Sequence, residues 1–254
     1  MAPKRPKPTT PAPSPSRKKK KTPTFNPRDG LGTYITSPSS HPLSRVLEYD
    51  DEFVVINDMY PKSSVHLLLL PRDPTLSDTH PLDALTHNPS FLSSVRERVT
   101  HLKTLVATEL RRRYGLNSES DTPYQNALSV LMASPSAPSV PSERDALLPA
   151  GRDWTREVIA GVHAHPSMNH LHIHVLSRDM YSECVRHKKH YLSFTTGFFV
   201  ELDAFPLEEE SERWECSGWP KWNMVCWRCG RGFGNRFQEL KGHLAEEFEG
   251  WIRE

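Results

Sequence analysis

Three histidines alternate with apolar residues in His170-Leu171-His172-Ile173-His174-Val175-Leu176. Alternation is the period of a half-buried β-strand, so the three imidazoles share one face while Leu171, Ile173 and Val175 face a core. Imidazoles this close repel when protonated, so a wall of three needs an anion or a metal ion to justify it. Two chemistries fit: a metal centre with His170, His172 and His174 as ligands, or a site that binds phosphate and attacks it with an imidazole nitrogen. A second ligating set lies further on. Cys226 and Cys229 have the two-residue gap at which both thiolates reach one ion, and His243 follows on a predicted helix through Phe237, Leu240 and Leu244. The second histidine of a Cys2His2 finger is missing. Glu247 stands one helical turn beyond His243 on the same face, whereas Glu246 faces elsewhere. A carboxylate is a legitimate zinc ligand, so the spacing predicts one structural zinc ion on Cys226, Cys229, His243 and Glu247.

The neighbours of the histidine run choose between its two chemistries. Upstream lies Gly161-Val162-His163-Ala164-His165-Pro166-Ser167-Met168-Asn169, and earlier still Asn57-Asp58-Met59-Tyr60-Pro61-Lys62-Ser63-Ser64-Val65-His66, followed by the apolar run Leu67 to Leu70. The pairing of these segments resembles the histidine-triad (HIT) family of nucleotide hydrolases and transferases. The closer resemblance is to its aprataxin branch, in which the P-K-x-x-x-H segment, the H-x-x-P-S-M-x-H-x-H-x-H segment, a lysine-rich loop and a zinc finger occur in this order. It covers roughly residue 33 to the C-terminus.

The resemblance implies an α+β fold, an antiparallel sheet with flanking helices, carrying a small C-terminal C2H2-like zinc finger. It implies that His172 is a nucleophile attacking the α-phosphorus of an adenylate, giving an AMP–histidine intermediate that water resolves. His174 and Ser167 then match phosphate-contacting positions, His163 an additional histidine that is a candidate acid, and His170 a residue that orients and packs. Asp58 matches the ribose contact beside Asn57, Lys62 a phosphate contact, and His66 a structural position. No metal is expected in the chemical step. The implied activity is that of a DNA-repair 5′-deadenylase, releasing AMP from adenylated nicked or double-stranded ends and acting as a monomer on DNA. Two rivals remain: a hydrolase of adenosine phosphoramidates or dinucleoside polyphosphates, and a non-catalytic, zinc-dependent DNA-end binding protein.

Charge and composition fit a nucleic-acid partner. The 254 residues carry a formal net charge of +1, but residues 1–28 hold nine Lys/Arg, no acid and eight prolines. Such an arm cannot bury enough surface to fold alone. Its run Arg17-Lys18-Lys19-Lys20-Lys21 reads as a nuclear-import signal or a tether to phosphates, giving an expected nuclear location. No apolar run approaches a membrane span or a signal-peptide core, and four cysteines, two of them in a CxxC, suit a reducing compartment with a metal site. No folded segment is expected before residue 30, and hence no forkhead-associated module like that of animal aprataxins. Lys188 and Lys189 at the triad rim, and Arg228, Arg231, Arg236 and Lys241 around the finger, are candidate DNA contacts.

The positioning elements follow from periodicity. The expected domains are a basic arm over 1–32, a HIT domain over 33–205 and a finger over 206–254. A short helix is predicted within 34–49, starting near Ser40 or Pro42 with Leu43, Val46 and Leu47 on one face, then strands over 53–56 and 65–70 joined by the turn at 58–64. Residues 81–114 carry a 3.6-period apolar stripe, Leu82 to Leu110, that should cover one sheet face. Residues 125–132 read as a short strand or helix, and 134–152, rich in Ser, Pro and Ala, as a mostly flexible surface insertion without chemistry of its own. Residues 154–162 lead as a strand into the triad, and Phe194, Phe198 and Phe199 are core candidates.

Overall fold

The structure is a computed structural model that describes residues 26–216 and 218–254. The import signal expected at 17–21 lies outside the described residues. A six-stranded, wholly antiparallel sheet runs in the order β1 (Val46–Tyr49), β2 (Phe53–Asn57), β3 (His66–Pro71), β5 (Ile173–Ser177), β4 (Val158–His163), β6 (Phe199–Glu201). In chain order the helices are α1 (Gly32–Thr36), α2 (Pro74–Ser77), α3 (Pro81–His87), α4 (Pro89–Tyr114), α5 (Thr122–Met132), α6 (Pro141–Asp145) and α7 (Lys188–Thr195). The finger adds β7 (Met224–Val225), β8 (Gly232–Gly234) and α8 (Phe237–Arg253). Four of the helices α2 to α6 begin with a proline in their first position, where the missing N–H costs nothing. Asn88 caps the long α4 by accepting from the Phe91 amide at 3.0 Å.

The alternation of the strands sorts two cores onto two faces. Phe53, Val55, Leu67, Leu69, Ile173 and Val175 face the stripe Phe91, Leu92, Val95, Val99, Leu102, Val106 and Leu110 of α4. Val54, Ile56, Leu68 and Leu70 face the other way, under Leu31 and Ile35 of the α1 segment. On that second face, Ile159, Leu176 and Phe199 are covered instead by Tyr191, Leu192 and Phe194 of α7 and by Met224, Phe233, Leu240 and Leu244 of the finger. The histidines of β3, β4 and β5 share this face by strand parity, between its two apolar covers.

One expectation is corrected here, and two are sharpened. No α-helix starts near Ser40 or Pro42: α1 stops at Thr36, short of Pro38 and Pro42, and Val46–Tyr49 is an edge strand on β2. The Asp50 carboxylate accepts the amides of Glu52 and Phe53 at 2.9 and 2.8 Å, closing the turn that folds β1 back on β2. The segment 134–152 is not a uniformly loose insertion, since it holds α6, tied at 3.1 Å from the Tyr124 hydroxyl to Asp145, and ends in the buried Arg152. The finger, expected over 206–254, shares the core of the sheet. Leu207, Cys216, Trp251 and Ile252 belong to the α4 core, because so few residues cannot bury a core alone and borrow that of the sheet.

Candidate active site and zinc finger

The triad pocket is built from three adjacent strands and one turn. His66 comes from β3, His172 and His174 from the entry and body of β5, and His163 from the end of β4. Ring centroids lie 4.5 Å apart for His163 and His174, 4.9 Å for His172 and His174, and 5.1 Å for His66 and His174. All four are pushed below the ordinary histidine range, first by burial, which disfavours the charged ring; His66 reaches about 4, and His163 and His174 lie well below 6.5. The rings are therefore neutral at physiological pH, and each carries one proton.

Hydrogen bonding places those protons. The Lys62 backbone N–H donates to His66 Nδ1 at 3.1 Å, so neutral His66 carries its proton on Nε2. That proton goes to His174 Nδ1, 2.9 Å away, and His174 must then carry its own on Nε2. This Nε2 is buried and has no partner among the described residues. His172 is set the opposite way: its Nδ1 lies 2.8 Å from the His170 carbonyl, an acceptor only, so Nδ1 holds the proton and Nε2 offers a lone pair. The pocket thus presents a nucleophilic nitrogen on His172 beside an N–H donor on His174, with a third buried, unpartnered nitrogen, Nε2 of His163.

The turn before β3 brings the acidic and basic members. Asp58 Oδ2 lies 3.4 Å from His66 Nδ1, and its Oδ1 accepts the Tyr60 amide at 2.8 Å. The Lys62 ammonium contacts the Tyr60 carbonyl, and its pKa is lowered mainly by burial. Asp179, which the sequence reading passed over, pins this turn from the far end of β5. Its buried carboxylate accepts from the Ser64 amide at 3.0 Å, the Ser64 hydroxyl at 2.9 Å and the Ser177 hydroxyl at 2.5 Å, although burial raises its pKa. Its one sequence signal is an acid two residues past the end of a histidine strand.

Several expected site residues lie elsewhere. His170 does not share the wall with His172 and His174, because β5 begins only at Ile173; its ring packs against Gly32, where a Cβ would come within 3.0 Å. The imidazole trio within metal-binding reach is His163, His172 and His174, which replaces the trio drawn from one strand. Asn57 spends its side-chain amide on the Ser44 carbonyl at 3.0 Å, bracing the loop before β1. Ser167 is exposed on the loop between β4 and β5, its carbonyl held by Arg28 Nε at 3.0 Å.

In the finger, Cys226 and Cys229 occupy the turn between β7 and β8, which Gly230 closes at φ +76°. His243 and Glu247 sit four residues apart on α8. One ligand atom from each of the four lies within 4.8 Å of the others, with Cys229 Sγ 3.1 Å and Glu247 Oε1 3.2 Å from His243 Nε2. These separations and this donor set suit a tetrahedral ion with bond lengths of about 2.0–2.3 Å. Glu246 is exposed, 3.9 Å from His243 Nδ1, on the other side of the ring. Of the basic residues expected to face DNA, three are already engaged: Arg228 by Glu247 and Glu254, Arg236 by Glu239 at 3.0 Å, and Lys188 by Asn235. Lys189, Arg231 and Lys241 have no acidic partner among the described residues.

A sheet that pools histidines from three strands into a neutral pocket, with a Cys2HisGlu finger packed on the same face, defines a HIT-type protein with an appended zinc-binding module. A HIT domain model matches residues 41–181, and a C2HE / C2H2 / C2HC zinc-binding finger model matches residues 195–250. The chain belongs to the histidine-triad family and, within it, to the aprataxin-like proteins. It is 34% identical over 226 residues to an aprataxin-like protein of Schizosaccharomyces pombe, covering 89% of this chain and 83% of that protein. It is 33% identical to an aprataxin-like protein of Saccharomyces cerevisiae, covering 87% and 95%. The crystal structure of the aprataxin ortholog Hnt3 in complex with DNA has a TM-score of 0.69 at 33% identity, covering 89% of this chain and 97% of that one. The structure of Hnt3 in complex with DNA and guanosine has a TM-score of 0.65, also at 33% identity.

Proposed function

We propose that the protein is a DNA 5′-deadenylase, which hydrolyses AMP from the adenylated 5′-phosphate that an abortive ligation leaves at a nick or double-stranded end. The observation that carries this reading is the opposed tautomers of His172 and His174, a lone pair beside an unpartnered donor in one buried pocket. His172 Nε2 attacks the α-phosphorus, the bond from that phosphorus to the bridging oxygen breaks, and the DNA 5′-phosphate departs with the electron pair. His174 Nε2–H donates to a non-bridging oxygen, and water then attacks the phosphoramidate to release AMP and regenerate the ring. The leaving group is itself a phosphate, with a second pKa of about 6, so it departs without a cationic acid. That suits His163, which burial keeps neutral and which serves as a hydrogen-bond partner in place of the acid role expected from the resemblance. Asp58 and Lys62 hold ribose and phosphate.

DNA as the partner is supported by the relatives solved on DNA and by the unpaired Lys189, Arg231 and Lys241 near the pocket and finger. A monomeric state on DNA and a nuclear location, the latter resting on Arg17–Lys21, belong to the same proposal. No helix among the described residues is long and apolar enough to cross a membrane. A metal hydrolase on His163, His172 and His174 is the second reading, favoured by their mutual reach.

The test is a nicked duplex with a labelled 5′-adenylate, incubated with the protein and with His172→Ala, each with and without EDTA under conditions that keep the finger folded. Release of AMP that survives EDTA and vanishes in the variant is expected. Turnover that EDTA abolishes while the finger stays folded would move the reaction to the metal reading. Tight binding to the nick without turnover would leave a DNA-end binding protein.

A further inference from the structure

A zinc ion held by two thiolates, a neutral imidazole and a carboxylate carries three negative ligands against two positive charges, a net charge of about −1. The Cys2His2 set, with imidazole in the fourth place, would be neutral. Putting glutamate at 247 therefore leaves a charge to balance in a half-buried corner of the protein. Arg228 stands there. One terminal nitrogen lies 2.7 Å from Glu247 Oε2, the oxygen turned away from His243, and the other contacts the Glu254 carboxylate. Gly250 makes room for it: a Cβ there would come within 2.9 Å of the guanidinium.

The pairing continues into the catalytic domain. Glu254 also lies 3.5 Å from Arg152, whose guanidinium sits 4.1 Å from the Trp154 ring and donates to the Trp251 carbonyl at 2.6 Å and to Glu157 at 3.1 Å. Trp251 Nε1–H donates to Glu157 at 2.7 Å. Charges thus alternate in sign from Glu247 through Arg228, Glu254 and Arg152 to Glu157, and the last two carry the end of α8 onto the 3-10 turn before β4. Such a row holds two positions at once, the fourth zinc ligand and the seat of the finger helix.

We propose that Arg228 is the positioning residue that makes glutamate a workable fourth zinc ligand, by neutralising the extra charge and aiming Oε1 at the ion. The role goes beyond the deadenylase reading and does not depend on it. The test is a double-mutant cycle on the full chain, reading zinc affinity by competition with a chromophoric chelator and checking the fold by circular dichroism. Arg228→Gln should weaken zinc binding about 10- to 100-fold, in line with other outer-shell partners of metal ligands. In the Glu247→His background, where the ligand set is already neutral, the same Arg228→Gln change should alter affinity less than about threefold. Arg228→Lys, which keeps the charge and loses the fork, should fall between wild type and Gln. The proposal is overturned if Arg228→Gln stays within twofold of wild type, or if it weakens both backgrounds by the same factor. Should Glu247→His bind no zinc, Arg228→Lys decides: affinity above that of Gln supports the charge role, and affinity equal to it overturns the proposal.

Discussion

In the triad pocket the histidines hold one another and a carbonyl, whereas in the finger the Nε2 of the single histidine faces groups that would share an ion with it. In the first arrangement His66 sets the tautomer of His174 and the His170 carbonyl that of His172, which leaves reactive atoms over at His172 and His174. The second leaves nothing over: Cys226, Cys229, His243 and Glu247 all converge, and the outer oxygen of Glu247 is taken by Arg228. One site is arranged for a reactant that comes and goes, and the other for an ion that stays. Their variants should therefore fail in different currencies.

The largest effect is expected at His172. His172→Ala should lower AMP release from adenylated DNA by roughly 10⁴-fold or more, since a lost nucleophile leaves only binding and positioning. Its stability in urea should change by less than about 2 kcal/mol, because no other side chain depends on that ring for its only partner. A large loss of stability alongside the lost rate would erase the distinction between the sites. Cys226→Ser should do the reverse. Loss of the ion should unseat α8 and cost on the order of 4 kcal/mol, with Trp251 fluorescence reporting it, because Leu240 and Leu244 share one core with Leu176 and Ile159. A variant that loses zinc yet keeps Trp251 buried would show that the sheet alone holds the helix.

Acid should reach the triad first. His66 titrates near 4 in the folded chain and near 6.5 when free, so between these values the unfolded chain binds a proton that the folded one refuses. Its contribution is complete above about pH 6.5 and is lost as pH falls toward 4, a change of about 3 kcal/mol. Urea midpoints measured from pH 7 to 4 on the wild type and on His66→Asn should converge in acid. Parallel curves would mean that the strain of protonating the cluster lies with another ring.

These contrasts also show what a linear reading of the chain could reach. Cys226, Cys229, His243 and Glu247 were legible because the spacing within each pair is local: a two-residue gap joins the cysteines and one helical turn joins His243 to Glu247, and the finger's fold then brings the pairs together. The central strands were equally plain, since Phe53–Ile56 and Leu67–Leu70 are apolar throughout. His66 and His163 came only through the family resemblance, as no short-range pattern links residues that meet across strands. His170 was misplaced because alternation was extended to three residues before the start of β5, where the backbone already turns to offer its carbonyl to His172. Val46–Tyr49 was missed as a strand because an edge strand of four residues carries too few apolar positions to declare its period. Arg152 looked like the end of a loose insertion, and nothing nearby in sequence announces Trp251, ninety-nine residues on, as its partner.

The smallest effects concern the basic residues, and they refine the comparison at the level of single charges. An exposed cation without an acidic partner can neutralise a phosphate and release its counterion, so Lys189→Ala and Arg231→Ala should each weaken binding to nicked duplex and reduce the log–log salt slope by about one unit. Arg236 is as exposed as they are but already sits 3.0 Å from Glu239, so Arg236→Ala removes a pair and not a free charge. Its salt slope should stay within about half a unit of wild type. Titrations of a fluorescent nick at several potassium concentrations separate these cases. If Arg236→Ala lowers the slope as much as Arg231→Ala does, Glu239 releases it when DNA arrives, and the finger rearranges its surface charges to bind. If neither lowers the slope, the finger does not touch the duplex through these residues, and its part in the protein is to hold α8 and α7 against the sheet that carries the triad.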